Sequence, residues 1–387
     1  MRHPIPLMTT SIRGSGLLLV LGGILAGLFL LSSTALAAAP TQVGGTSDDQ
    51  CLACHQQTNL QTEIGGQPIS LTINPEAFAR SVHGVEQKHC VDCHTNITSY
   101  PHPAVTASNP RDFSLELYTT CKRCHVEQYE KTLDSVHQRA LAAGNTSAAV
   151  CTDCHDPHTQ ARLTGIASGV LTPRARLAVP ETCAQCHSSI FEDYRGSVHG
   201  KALTDEGNTD VPTCIDCHGV HNIKDPTTAT FRNSTPFLCA TCHTDPEVMG
   251  KYGISTRVLD TYLTDFHGTT VKMFEESYPD QPTNKPVCTD CHGLHNIQRV
   301  DDAGTGIGLR ENLLVKCQRC HPDVTTLSFT DAWLSHYDPS PADSPLVYYV
   351  QLFYKIFIPV VLGGMGLFVA SDIYRRIVSR RKPGRQA

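Results

Sequence analysis

Aromatic residues are scarce in this chain. One Trp, 12 Tyr and 12 Phe make up 6% of 387 residues, so side chains alone give a thin apolar core. Methionine is rarer still. Beyond the N-terminal segment only Met249, Met273 and Met365 occur, which rules out a recurring methionine ligand. Basic charge is also short in the central part. Residues 38–345 hold 22 Lys and Arg against 36 Asp and Glu, a net charge of −14. That balance disfavours nucleic-acid binding and suits a basic soluble partner, or simple solubility. Convincing β-patterning is confined to residues 63–73, EIGGQPISLTI, which read as a hairpin turning at Gly65-Gly66.

No cysteine is left over. All 18 fall in nine C-x-x-C-H motifs: Cys51, Cys54 and His55; Cys90, Cys93 and His94; Cys121, Cys124 and His125; Cys151, Cys154 and His155; Cys183, Cys186 and His187; Cys214, Cys217 and His218; Cys239, Cys242 and His243; Cys288, Cys291 and His292; Cys317, Cys320 and His321. A disulfide framework or zinc ribbons would use paired cysteines but need no His after the second. Histidine is about one residue in twenty, so nine chance matches have a probability of roughly 10⁻¹². A thioredoxin-like site needs one C-x-x-C on a βαβ pattern, and no such pattern is present. C-x-x-C-H is the attachment signature of c-type haem: two thioethers hold the porphyrin and the His binds iron from the proximal side.

The motifs alternate. The second, fourth, sixth and eighth read C-x-D-C-H, with Asp92, Asp153, Asp216 and Asp290; the odd ones do not. Between an odd and an even motif stands a His in SVHG, SVHQ or DFHG: His83, His137, His199 and His267. Three residues after an even motif comes His158, His221 or His295, with His102 in YPHP as the first-repeat counterpart. The chain therefore reads as two-haem repeats at about 51–102, 121–158, 183–221 and 239–295, closed by a half-repeat at 317–336 that ends on His336. His83, His102, His137, His158, His199, His221, His267, His295 and His336 make nine candidate distal ligands for nine haems. His89 is the one histidine of this region outside the set. The count predicts bis-histidine ligation and low potentials.

Spacing limits the pairing. His218 and His221, read as helical, lie on one face about 5 Å apart and cannot grip opposite sides of one haem. His158 and His295 follow the same rule. His187 and His199 are about 18 Å apart on a straight helix, with Gly200 placed as its C-cap, so ligands from neighbouring haems are expected there too. Helices are expected at residues 188–198, 126–136 and 257–274. The fold class is mainly α and irregular: a haem-organised array of two-haem repeats with little β and one C-terminal transmembrane helix. Without haem the chain should be largely unfolded.

Both ends are apolar. Residues 1–37 read as a signal peptide, with Arg2 and Arg13, an apolar run at 17–31 and an Ala35-Leu36-Ala37 cleavage site. An uncleaved anchor is the alternative. Either way residues 38–345 are exported. Residues 346–373 read as a transmembrane helix with an aromatic belt at Tyr348, Tyr349, Phe353 and Tyr354. A basic tail at 374–387 follows, placing the anchor in the cytoplasmic membrane with the haem domain outside. Lys355 interrupts the apolar run and either snorkels or meets a quinone head group or partner subunit. Gly363, Gly364 and Gly366 would let another helix approach.

The C-x-x-C-H and SVHG alternation, with C-x-D-C-H-G-x-H, resembles the multihaem c-type cytochromes of bacterial anaerobic and metal-associated respiration over residues 50–336. The first repeat, ISLTINPEAFARSVHG through HCVDCH to YPHP, looks like membrane-tethered members that work beside a di-haem b-type subunit. The resemblance implies electron exchange with the quinone pool through that b-type cytochrome, and relay to soluble or outer-membrane redox partners. It implies an electron-transfer protein with no catalytic residue. The family's catalytic members carry an open distal site, sometimes with C-x-x-C-K, which does not occur here. The alternative is a reductase of a small nitrogen or sulfur oxyanion at one five-coordinate haem, in the first repeat or the last half-unit.

Overall fold

Each odd motif closes a helix, and each even motif is a short helix of its own. In a computed structural model that describes residues 48–328, 336, 338–342 and 344–381, the odd motifs end Asp48–His55, Tyr118–Arg123 (a 3₁₀ turn), Pro173–Ala184, Ala229–His243 and Arg310–Gln318, to within a few residues. The even motifs form Cys90–Cys93, Cys151–Cys154, Cys214–His218 and Cys288–His292. The fold is mainly α-helical. Among the described residues the one sheet is an antiparallel hairpin, Gln61–Ile64 with Gln67–Ser70. It turns at Gly65 and Gly66, both in the left-handed region, as the sequence leads one to expect. Fully buried side chains are few and small, Leu203, Val271 and Val287 among them. The apolar core is as thin as the composition implies.

The expected helices exist, but break sooner than the sequence suggests. Residues 188–198 resolve into Ser188–Arg195 and a separate helix, Val198–Thr204. Residues 126–136 give Val126–Leu133 followed by Val136–Ala142. Residues 257–274 give Val258–Thr264 and Phe266–Ser277. The cause is local. Ser81, Ser135, Ser197 and Asp265 are extended and act as N-caps, accepting from the N–H of Gly84, His137, Gly200 and His267 respectively. Gly200 is therefore no C-cap; it lies inside the second helix, and Gly196 caps the first. His221 and His295 also leave their motif helices, because Gly219 and Gly293 adopt positive φ of 82° and 90° and turn the chain.

The C-terminal segment is one continuous helix, Pro345–Arg381. It extends past residues 346–373 through Arg375, Arg376 and Arg380. It is long and apolar enough to cross a membrane, and among the described residues none of its apolar stretch is buried. The signal-peptide features at 1–37 and the last basic residues, Lys382 and Arg385, lie outside the described residues.

Candidate haem-binding sites

The even motifs are built from their aspartates. In each, the Asp carboxylate accepts from the backbone N–H of the residue before the first Cys: His89 to Asp92 at 2.8 Å, Val150 to Asp153 at 2.6 Å, Thr213 to Asp216 at 2.6 Å and Val287 to Asp290 at 2.7 Å. This closes the first turn and holds both cysteines on one short helix. After the odd motifs, His125 and His187 serve as N-cap positions for the next helix.

All nine motif histidines face a second histidine. The ring centroids are 6.1 Å apart for His55–His102, His94–His158 and His218–His295. They are 6.2 Å apart for His83–His125, His137–His187, His155–His221 and His199–His243. His267–His321 and His292–His336 are 6.3 Å apart. Two imidazoles gripping one metal through nitrogen at about 2 Å, with ring centres roughly 1.1 Å behind those nitrogens, put their centroids roughly 6.2 Å apart. Each pair thus leaves room for a metal between the rings. Among the described residues no group of three or more His, Cys, Asp or Glu converges on a metal-sized point. A bare ion would find only two protein ligands. A porphyrin supplies the other four, so the residues fit haem better than zinc.

The pairing follows a rule. The SVHG-type histidine of one repeat meets the odd motif of the next: His83 with His125, His137 with His187, His199 with His243, His267 with His321. The histidine after an even motif meets the even motif of the previous repeat: His158 with His94, His221 with His155, His295 with His218. His336 continues that series onto His292, so the last histidine faces the eighth motif and not the ninth. His102 departs from it and faces His55 of its own repeat. Neighbouring repeats are also joined by backbone. Val82, Val136 and Val198 donate to the carbonyls of Gln160, Ile223 and Ile297, each two residues past a paired histidine.

Second contacts orient the rings. His55 Nδ1 donates to Leu71 O at 2.8 Å, which gives the hairpin its role. His83 Nδ1 donates to Pro157 O at 2.9 Å and His102 Nδ1 to Pro103 O at 2.8 Å. Occupying Nδ1 leaves Nε2 for a metal. Burial holds His199 and His292 down to about 4 and lowers His94, His158 and His243 as well. These rings are neutral at neutral pH, the form that ligates. Phe231 stacks on His218 at 5.5 Å. His89 takes no part in a pair; its Nδ1 lies 3.1 Å from Asp48.

The cysteines keep sequence order in space. Within a repeat the first cysteines lie close enough to perturb each other's thiols: Cys51 with Cys90, Cys121 with Cys151, Cys183 with Cys214, Cys239 with Cys288. Between repeats the second Cys of an even motif feels the next odd motif: Cys93 with Cys121, Cys154 with Cys183, Cys217 with Cys239, Cys291 with Cys317. No two are joined by a disulfide.

Sequence reasoning missed the arginines that brace the even motifs. Arg111, Arg176 and Arg232 reach Asp153, Asp216 and Asp290 at 2.8, 2.8 and 2.7 Å. A signal existed: Arg176, Arg232 and Arg310 each stand seven residues before an odd-motif Cys. It also missed Tyr194 and Tyr262, whose hydroxyls donate to Pro212 O and Pro286 O just before the sixth and eighth motifs.

This geometry suits a multihaem c-type cytochrome, an electron-transfer class. Residues 41–200 match the family of outer membrane cytochromes described as MtrC/MtrF-like, domains II/IV. This similarity supports the multihaem reading, and the apolar C-terminal helix supports membrane association. No curated protein and no solved structure matches the chain.

Proposed function

We propose that the chain is a membrane-tethered nonahaem cytochrome that carries electrons between the quinone pool and acceptors outside the cytoplasmic membrane. The observation that carries this reading is the set of nine histidine pairs, each joining one motif histidine to one other histidine at 6.1–6.3 Å. Bound haem supplies reversible one-electron chemistry at iron, at the low potentials that two imidazole ligands favour. The protein's part is to hold each porphyrin by two cysteines, fix both imidazoles in the ligating tautomer and keep neighbouring sites in file. Neighbouring motif cysteines that perturb one another's thiols support a row of haems in motif order. Similarity to outer membrane cytochromes supports redox partner proteins and extracellular acceptors. The helix Pro345–Arg381, with Arg375, Arg376 and Arg380 at its end, supports an anchor in the cytoplasmic membrane whose basic end stays inside. A b-type membrane subunit would then supply the quinol link.

Haem quantification of the purified full-length protein, with EPR of its oxidised form, tests the reading. Nine haems per chain, all low-spin, are expected. A stoichiometric high-spin signal would overturn the all-bis-histidine assignment. Reduction by a quinol in native membranes, lost when a b-type partner is deleted, is the expected result for the quinone link.

A further inference from the structure

Three arginines have a placement that haem attachment does not require. Arg111, Arg176 and Arg232 sit on the helices that lead to the odd motifs, yet each crosses to the even motif of its repeat. Arg176 forks onto Asp216, Nη1 to Oδ1 at 3.3 Å and Nη2 to Oδ2 at 2.8 Å, and Nη2 also donates to Val211 O at 2.8 Å. Arg111 Nη1 reaches both Asp153 oxygens, at 3.0 and 2.8 Å, while Nη2 donates to Ala148 O. Arg232 Nη2 donates to Asp290 at 2.7 Å and to Lys285 O at 3.0 Å. These aspartates already cap their motif helices. They lie between the two cysteines of C-x-D-C, so each carboxylate is fixed beside the thiols that would hold a haem.

We propose that Arg111, Arg176 and Arg232 set the reduction potentials of the haems on the fourth, sixth and eighth motifs by holding a cation against each motif aspartate. This rests on the nonahaem reading above. A lone carboxylate beside a haem favours the ferric, more positive iron and lowers its potential; a paired guanidinium offsets that field. The pairs are placed for this. Arg176 and Asp216 are 20% and 36% exposed, so solvent and salt screen them only in part. The first repeat is built otherwise. Among the described residues no guanidinium reaches the Asp92 carboxylate; Arg123 donates to the Asp92 backbone carbonyl. A second carboxylate, Asp48, accepts from Cys90 N at 2.9 Å. The second motif thus lacks the guanidinium–carboxylate pair that the fourth, sixth and eighth carry.

The test is a potentiometric titration of the full-length protein, followed optically and by EPR, for Arg176→Gln, Asp216→Asn and the double variant. Haem count and low-spin signals of the unmodified protein are measured first, so a failure of the nonahaem reading shows there and not in the variants. Arg176→Gln should move one midpoint down, Asp216→Asn should move one up, and the double variant should return towards the starting curve. Arg176→Lys, which keeps the charge and loses the fork, should stay near wild type. A purely structural brace would lower haem occupancy or melting temperature with no such reversal of sign. If Arg176→Gln sheds a haem, Asp216→Asn decides alone, since an amide oxygen can still cap Thr213 N–H. Superimposable titration curves for variants that keep all their haems would overturn the proposal.

Discussion

His336 shows how much one residue's address matters. It follows the ninth motif by fifteen residues and closes that half-repeat, and its ring lies 6.3 Å from His292 of the eighth. The ninth motif's His321 faces His267, which precedes it by more than fifty residues. Replacing either His336 or His267 by Ala should each create one high-spin haem. The two are separated in a background lacking the ninth haem, made by Cys317→Ala with Cys320→Ala. There His336→Ala should still give a high-spin signal and His267→Ala should give none. EPR reads both, and the opposite pattern would return His336 to the ninth site. The candidate members of these pairs were legible in the sequence, because most stand in a repeated SVHG-like or C-H-x-x-H context, with His102 in YPHP and His336 in LSHY completing the count. Which member meets which was not legible. Pairing depends on where Gly219 and Gly293 turn the chain and where Ser197 restarts a helix, and neither follows from spacing along a straight helix.

At the scale of elements, the second helix of each pair is packed onto the end of the first. Gly84, Gly200 and Gly268 sit where a Cβ would strike the carbonyls of Phe78, Tyr194 and Tyr262 respectively. The contact is with backbone, so the helices must part to admit a methyl group. Ser81 and Ser197, which start two of these helices, are each 1% exposed, so the junction has no slack towards solvent. Gly200→Ala should cost about 1–3 kcal/mol as overpacking. Because it adjoins His199, it should also weaken the seventh site, visible as one haem turning high-spin. Gly250→Ala is the control, since nothing lies within 4 Å of its added Cβ and no spectral change is expected. The second repeat departs here, carrying Gln138 in the glycine's place. The hairpin, by contrast, was readable outright: Gly65-Gly66 between alternating residues specifies a turn without help from the rest of the molecule. The arginine braces were legible only in part: Arg176 and Arg232 share a seven-residue spacing to the next odd-motif Cys, but that spacing does not name a partner 40 or more residues away.

For the whole molecule, the pairing rule makes the array interlocked. An odd-motif site of the second to fourth repeats, or of the half-repeat, is completed by a histidine that precedes it in the chain. An even-motif site is completed by one that follows, from the next repeat or the final half-unit. Stacked repeats usually meet only at their surfaces and can be shortened from one end with graded loss. Here each of the second to fourth repeats lends a ligand forward and another backward, and the first lends His83 forward, so an end cut between repeats always strands one site. A chain ended after residue 170 keeps four motifs but lacks His221, which leaves the fourth without its partner. One ended after residue 225 lacks His295 and strands the sixth; one ended after residue 300 lacks His336 and strands the eighth. Exported and matured with the same haem machinery, each truncation should carry one high-spin haem per molecule whatever its length, with every other haem low-spin. Carbon monoxide binding to the reduced forms should count that open site independently. A series with no high-spin haem at any length would mean self-contained repeats. High-spin haems whose number grew with length would mean that the histidine pairs are not the ligands.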